Sequence, residues 1–209
     1  MFLFSTGGIL RGECLFSAEL SDCFLISHKN PDKDPHEWDA LIMTIVQGKT
    51  NSGNKIYGRA IRAKDVRLCP LGALGYYLLA RFNLTKEFEP SSCPDFRDNA
   101  SWYGIKLLVG FGTGAEGRKK QMSYQSYYNF IKKILLSQGI GSNHFQHLGR
   151  VVGSAKLQFK EIDDDLIRQL GNWQVSVRDL AYSTNLSLKA MRAAADFTDC
   201  DGMFFCPRR

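Results

Sequence analysis

Five residues of chemical interest occur in order along this 209-residue chain: Arg11 in GGILRGE, His147 and Arg150 in HLGR, Trp173 in GNW, and Tyr182 nine positions past the tryptophan. Together they suit a reaction at a phosphodiester. Such a bond resists attack because its non-bridging oxygens are negative, and a planar guanidinium neutralises them through two parallel hydrogen bonds. Two arginines from distant parts of the chain could clamp one phosphate. A tyrosine hydroxyl could then attack phosphorus and form a phosphotyrosyl link that conserves the energy of the broken bond. A basic side chain must protonate the departing sugar oxygen. No step calls for a metal or an organic cofactor. Each motif alone is common, so it is their order that carries weight.

The charge balance agrees with a polyanionic partner without requiring one: 27 Lys and Arg against 21 Asp and Glu give a net charge of +6. Lys55 and the run Arg118, Lys119 and Lys120 are candidate contacts to a phosphate backbone. Six cysteines without a C-x-x-C pair suggest reduced thiols. Cys23, His28 and His36 lack zinc-site spacing, so no metal is expected. Neither a G-x-G-x-x-G nor a Walker pattern occurs, which removes support for nucleotide-cradling folds. The start MFLFSTGGILRG lacks a secretory leader's basic flank, and the apolar stretch 71–82 is too short for a membrane span, so a soluble intracellular protein is expected.

The elements that must position these residues are mostly helical. A short helix carrying Arg11 is expected to run into a strand around residues 24–26, and KNPDKDPHE (29–37), with two prolines, to break the structure. Strands over 39–48 and 56–62 flank KTNSGNK, whose centre is hairpin chemistry, giving a two-stranded ribbon with a basic tip. Pro70 opens a helix with Leu71, Leu74, Leu78 and Leu79 as its apolar face. Residues 85–117 read as irregular. Further helices are expected over 123–140, ended by Gly139, and over 147–159, 163–170, 176–184 and 187–197. The fold class is mainly α with one small β-hairpin or sheet, an α+β arrangement in one domain.

From HLGRVVGSAKLQFKEIDDDLIRQLGNWQVSVRDLAY onward the sequence resembles the catalytic domain of tyrosine recombinases, the Cre-like phage-integrase group, where H-x-x-R, a His or Trp, and the nucleophilic Tyr follow in that order. It also resembles a fungal branch comprising crypton transposon recombinases and the centromere-DNA-binding kinetochore scaffold of budding yeasts. The carriers of that likeness are LRGE (10–13), LSD (20–22), VRLCPLGALGYYLL (66–79), GNW, MRAAADF and GMFFCPR (202–208), which span nearly the whole chain. The resemblance implies Arg11 and Arg150 as the phosphate clamp and His147 as a proton-handling or hydrogen-bonding partner. It implies Trp173 as an indole donor bracing the tyrosine, and Tyr182 as nucleophile. A hairpin-tip lysine would be the general acid, with Lys49 in QGKT matching the family position better than Lys55. It further implies double-stranded DNA as partner, a nuclear location, no cofactor, and homo-oligomers on DNA.

Two features depart from the family pattern. An acidic residue usually stands three after the first arginine, whereas Glu13 follows Arg11 by two and Cys14 takes the third place. Arg11 also lies so near the start that the preceding helix and the separate DNA-clamping domain of complete recombinases are expected to be missing. Three readings stay open: a transposon-derived enzyme that cuts and rejoins DNA, a non-catalytic DNA-binding or scaffold module, and an inactive fragment.

Overall fold

The computed structural model describes residues 2–30, 34–45, 56–84, 87–110, 120–142, 144–145, 147–173 and 187–198. At its centre lies an antiparallel sheet in the order β1-β2-β3, formed by β1 (Cys23–Asn30), β2 (Asp34–Ile45) and β3 (Ile56–Ile61). The segment ALIMTI of β2 is apolar without alternation because helices and loops cover both of its faces. Leu41, Met43 and Ile45 look one way with Ala60, into a cluster with Leu10, Leu15, Leu107 and Leu108. Ala40 and Ile42 look the other way, with Ile61, into a cluster with Ile9, Leu157, Ile167, Leu170 and Met191.

The expected two-stranded ribbon thus gains β1 as a third strand, and the expected break over 29–37 is corrected. β1 runs to Asn30 and β2 already begins at Asp34. Pro35 is tolerated because β2 pairs with β3 only from Ala40 onward, so at position 35 a missing N–H leaves no third-strand partner unserved. The ladder between β1 and β2 shifts register between His28 and Asn30, close to that proline. The hairpin tip, with Lys49 and Lys55, lies outside the described residues.

One layer on the sheet is α3 (Pro70–Leu84), opened by Pro70 as expected. Its buried face uses Leu71, Leu74, Tyr77, Leu78 and Phe82, while Leu79, expected inside, is exposed. Residues at 71, 74, 78 and 82 repeat every three or four positions, and 79 falls a quarter turn past that stripe. The described part of the segment after α3, residues 87–110, is irregular apart from α4 (Asn99–Trp102). Next, α5 (Tyr124–Ser137) is capped by Ser123, whose Oγ accepts from the Ser126 N–H, and Gly139 follows its end at φ +73°. Tyr127 and Ile131 of α5 pack with Phe16 and Phe145.

The opposite layer holds α6 (Leu148–Phe159), α7 (Asp164–Gly171) and α8 (Leu188–Ala194). Asp163 caps α7 by accepting from Asp165 N–H, and Asp164 and Asp165 meet the positive end of its dipole. The α8 end is tied to α6: Asp196 accepts from Lys156 at 2.6 Å and Lys160 at 2.9 Å. Burial raises the Asp196 pKa, but these two bonds and charges outweigh it and hold the carboxyl below its ordinary value. The helix expected over 176–184 falls outside the described residues. No helix among the described residues is long and apolar enough to cross a membrane.

Candidate nucleic-acid interface

Arg11 is not on a helix, contrary to expectation. It occupies the joint between α1 (Phe2–Gly7) and α2 (Gly12–Phe16), with extended backbone at φ −73° and ψ 141°. The reason lies two residues upstream. Ile9 adopts φ +52°, which a β-branched residue accepts only under tertiary constraint, and is fully buried in the cluster on the α6–α8 side. Leu10 is buried in the cluster on the α3 side. The turn therefore anchors adjacent side chains in the two separate cores and delivers Arg11, half-buried, immediately after them.

His147 and Arg150 open α6. His147 is the residue preceding the first turn, exposed, with its ring 6.5 Å from that of His144. Arg150 lies in the first turn, three positions on and so on the same side. Two glycines let α6 approach α1 closely. A methyl group at Gly149 would overlap Ser5 Oγ, and one at Gly153 would overlap the Thr6 carbonyl. This G-x-x-x-G spacing within HLGRVVG fixes the H-x-x-R turn to the short helix that leads into Arg11.

Trp173 is set by its own motif. Asn172 ends α7 in the left-handed conformation, φ +53°, and its Nδ2 donates to the Tyr57 carbonyl of β3 at 3.0 Å. The Trp173 N–H donates back to Arg168 O at 2.9 Å, and the indole folds over Gly171, where a Cβ would come within 2.9 Å of the ring. The Arg150 guanidinium carbon stands 4.4 Å from the centroid of this ring. That is a cation–π stack, which fixes the plane of the guanidinium. The buried indole Nε1–H has no acceptor among the described residues.

Of the residues singled out from the sequence, the structure thus brings Arg150 and Trp173 into contact, with His147 on the same helical turn. It sets Arg11 at the end of a turn whose Ile9 shares a core cluster with Trp173. Lys120 is exposed on a different ladder, beside the Val109–Gln121 bridge, and nothing among the described residues joins it to Arg150 or Trp173. Arg118, Lys119 and Tyr182 lie outside the described residues, as do Lys49 and Lys55. Sequence reading missed Asn172, the glycine pair and Arg59. Asn-Trp after a helical Gly, and Gly at i and i+4, were the available signals for the first two.

A small antiparallel sheet between helical layers, with the H-x-x-R turn and the tryptophan on one side, is the architecture of a tyrosine recombinase catalytic domain. Two solved structures share it over 88% of this chain: "Flpe-Holliday Junction Complex", at TM-score 0.50 and 14% identity, and "FLP Recombinase-Holliday Junction Complex I", at TM-score 0.50 and 15% identity. The chain spans 41% of each of those chains. It belongs to the family described as centromere DNA-binding protein complex CBF3 subunit, domain 2, whose profile matches residues 1–201. No curated protein matches the sequence.

Proposed function

We propose that this chain is a nuclear module that binds double-stranded DNA through backbone phosphates, with Arg11 and Arg150 as the clamp. The observation that carries it is the Arg150 guanidinium stacked at 4.4 Å on Trp173 at the start of α6, beside an indole N–H that has no acceptor among the described residues. A guanidinium stacked by its face on a ring is held in one plane, the orientation that suits two parallel hydrogen bonds to a phosphate edge. The helix N-terminus adds positive potential where His147 and Arg150 stand. The net charge of +6, a family described by centromere DNA and two fold relatives solved on Holliday junctions support the same ligand. His147 adds a hydrogen bond to the bound phosphate, and several copies assemble on one DNA.

A second reading is strand cleavage of the crypton type, in a transposon-derived recombinase, favoured by Tyr182 following Trp173 at nine positions. In it the Tyr182 hydroxyl gives its proton to His147 as its oxygen attacks phosphorus, and the P–O bond to the sugar breaks. The departing sugar oxygen takes a proton from Lys49, or from Lys55 if that lysine holds the tip, and rejoining is the reverse. One experiment tests both readings: incubation with a labelled nicked duplex, followed by native and denaturing gels. A native complex weakened in Arg11→Ala and Arg150→Ala supports the phosphate clamp. A denaturation-resistant adduct lost in Tyr182→Phe assigns cleavage as well, and its absence leaves a binding module of the centromere type. No native complex for the unaltered protein overturns the proposal.

A further inference from the structure

Arg59 stands out because none of the described residues pairs with its charge. It lies on β3 directly opposite Ile42, so it shares a sheet face with Ile42 and Ile61, both of which belong to the cluster that packs against Trp173. Its neighbours Gly58 and Ala60 point to the other face, where Leu10 fills the space beside Gly58. Arg59 is half-buried, and no carboxylate or carbonyl among the described residues accepts from its guanidinium. Burial is the larger influence on it and lowers its pKa, against a smaller opposing effect of Tyr57. A half-buried cation without a partner loses part of its hydration with no compensating bond, so an apolar residue would serve the structure as well here.

Its neighbourhood is that of the proposed clamp. Two residues earlier on β3, the Tyr57 carbonyl accepts from Asn172, the residue that sets Trp173. The Arg59 carbonyl itself lies against Gly8, where a Cβ would stand 3.1 Å away, and Gly8 begins the turn that ends in Arg11. The strand therefore carries Arg59 between the Arg11 turn and the Trp173 cap.

We infer that Arg59 is a third phosphate-binding guanidinium of this site, taking a backbone phosphodiester of double-stranded DNA next to the one held by Arg11 and Arg150. The assignment rests on the DNA-binding reading above and adds a residue to it. The bound phosphate supplies the acceptor that the fold withholds, so Arg59 trades stability of the free protein for affinity.

The test is fluorescence anisotropy with a labelled duplex of about 30 base pairs, titrated from about 50 to 200 mM KCl, together with thermal melts of the full chain. Arg59→Met is expected to melt at the same temperature or higher, to bind about tenfold more weakly, and to lower the magnitude of the log K against log salt slope by about one. Arg59→Lys is expected to keep the slope and lose a few-fold in affinity, because it retains the charge and loses the fork. An Arg59→Met protein that no longer folds, or that folds and binds with unaltered slope, overturns the assignment. In the second case the clamp reading survives, provided that Arg150→Ala weakens binding. Unaltered protein that ignores the duplex overturns both.

Discussion

Arg81 and Arg59 lie on opposite sides of the same sheet and are handled in opposite ways. Arg81, on α3, is 2% exposed, and its donors are consumed inside the fold. Nε and Nη2 donate to Glu87 at 2.7 and 2.6 Å, and Nη1 donates to the carbonyls of Lys106 and Leu107 at 2.7 and 3.1 Å. It fastens the irregular segment after α3 to that helix. On the other side, Arg59 has no such acceptor among the described residues, and Arg150 is held by the face of an indole. An unsatisfied indole by itself decides nothing, since Trp102 Nε1 on the α3 side also lacks an acceptor and has Phe96 and Tyr103 as ring neighbours. What separates the two sides is an indole combined with guanidiniums. Full internal pairing marks structure at Arg81, and at Arg59 a half-buried guanidinium with no acceptor among the described residues marks a place for an anion.

This contrast can be broken most sharply at Arg81. Arg81→Met leaves the Glu87 carboxylate buried and alone, and is expected to cost about 3–5 kcal/mol in urea unfolding. Replacing both partners, as Arg81→Met with Glu87→Leu, is expected to recover the part of that loss that comes from the lone carboxylate, while the Lys106 and Leu107 carbonyls that Arg81 also serves keep the double variant less stable than the parent. In either variant DNA affinity of the folded fraction stays unaltered. A smaller effect, about 1–3 kcal/mol, is expected for Gly153→Ala, since the added methyl must push α6 away from the Thr6 carbonyl. Here DNA binding falls as well, because α1 leads into Arg11 and α6 carries Arg150.

The smallest effect belongs to the Asp196 latch, whose groups are about one-third exposed. Its carboxyl is held below the ordinary value in the folded state, so it contributes stability above about pH 4 and loses it as pH falls through the folded value. Asp196→Asn is expected to lower the melting temperature slightly at pH 7 and to flatten the stability-against-pH curve below about pH 4. Thermal melts across pH 3–7 measure both. An Asp196→Asn protein that keeps the full acid sensitivity would place it elsewhere.

Much of the fold was legible because local chemistry and tertiary structure agree. Pro70, Ser123 and Asp163 mark helix starts, Gly139 marks an end, and the apolar spacing of 124–135 gives the buried stripe of α5. The candidate site was legible only as an ordered series: the sequence pairs Trp173 with the tyrosine and Arg150 with Arg11, and the stacking of Arg150 on Trp173 has no signal in that order. The rest depended on long-range facts. Ile9 at φ +52° has no local signature, so Arg11 was assigned to a helix when it sits in a joint. Pro35 reads as a breaker unless one knows that β3 does not reach it. In IYGRAI the arginine looks like an ordinary solvent-facing strand residue, and only the helices packed on that face make it half-buried.

The central claim is that Arg11 and Arg150 hold DNA phosphate, and salt-dependent duplex binding by the Arg11→Ala, Arg150→Ala double variant tests it most directly. The expected result is a protein as stable as the parent to within about 1 kcal/mol. Its affinity should fall at least tenfold, and its log K against log salt slope should be shallower by between about one and two. A folded double variant that binds the duplex with the parent's affinity and slope would contradict it.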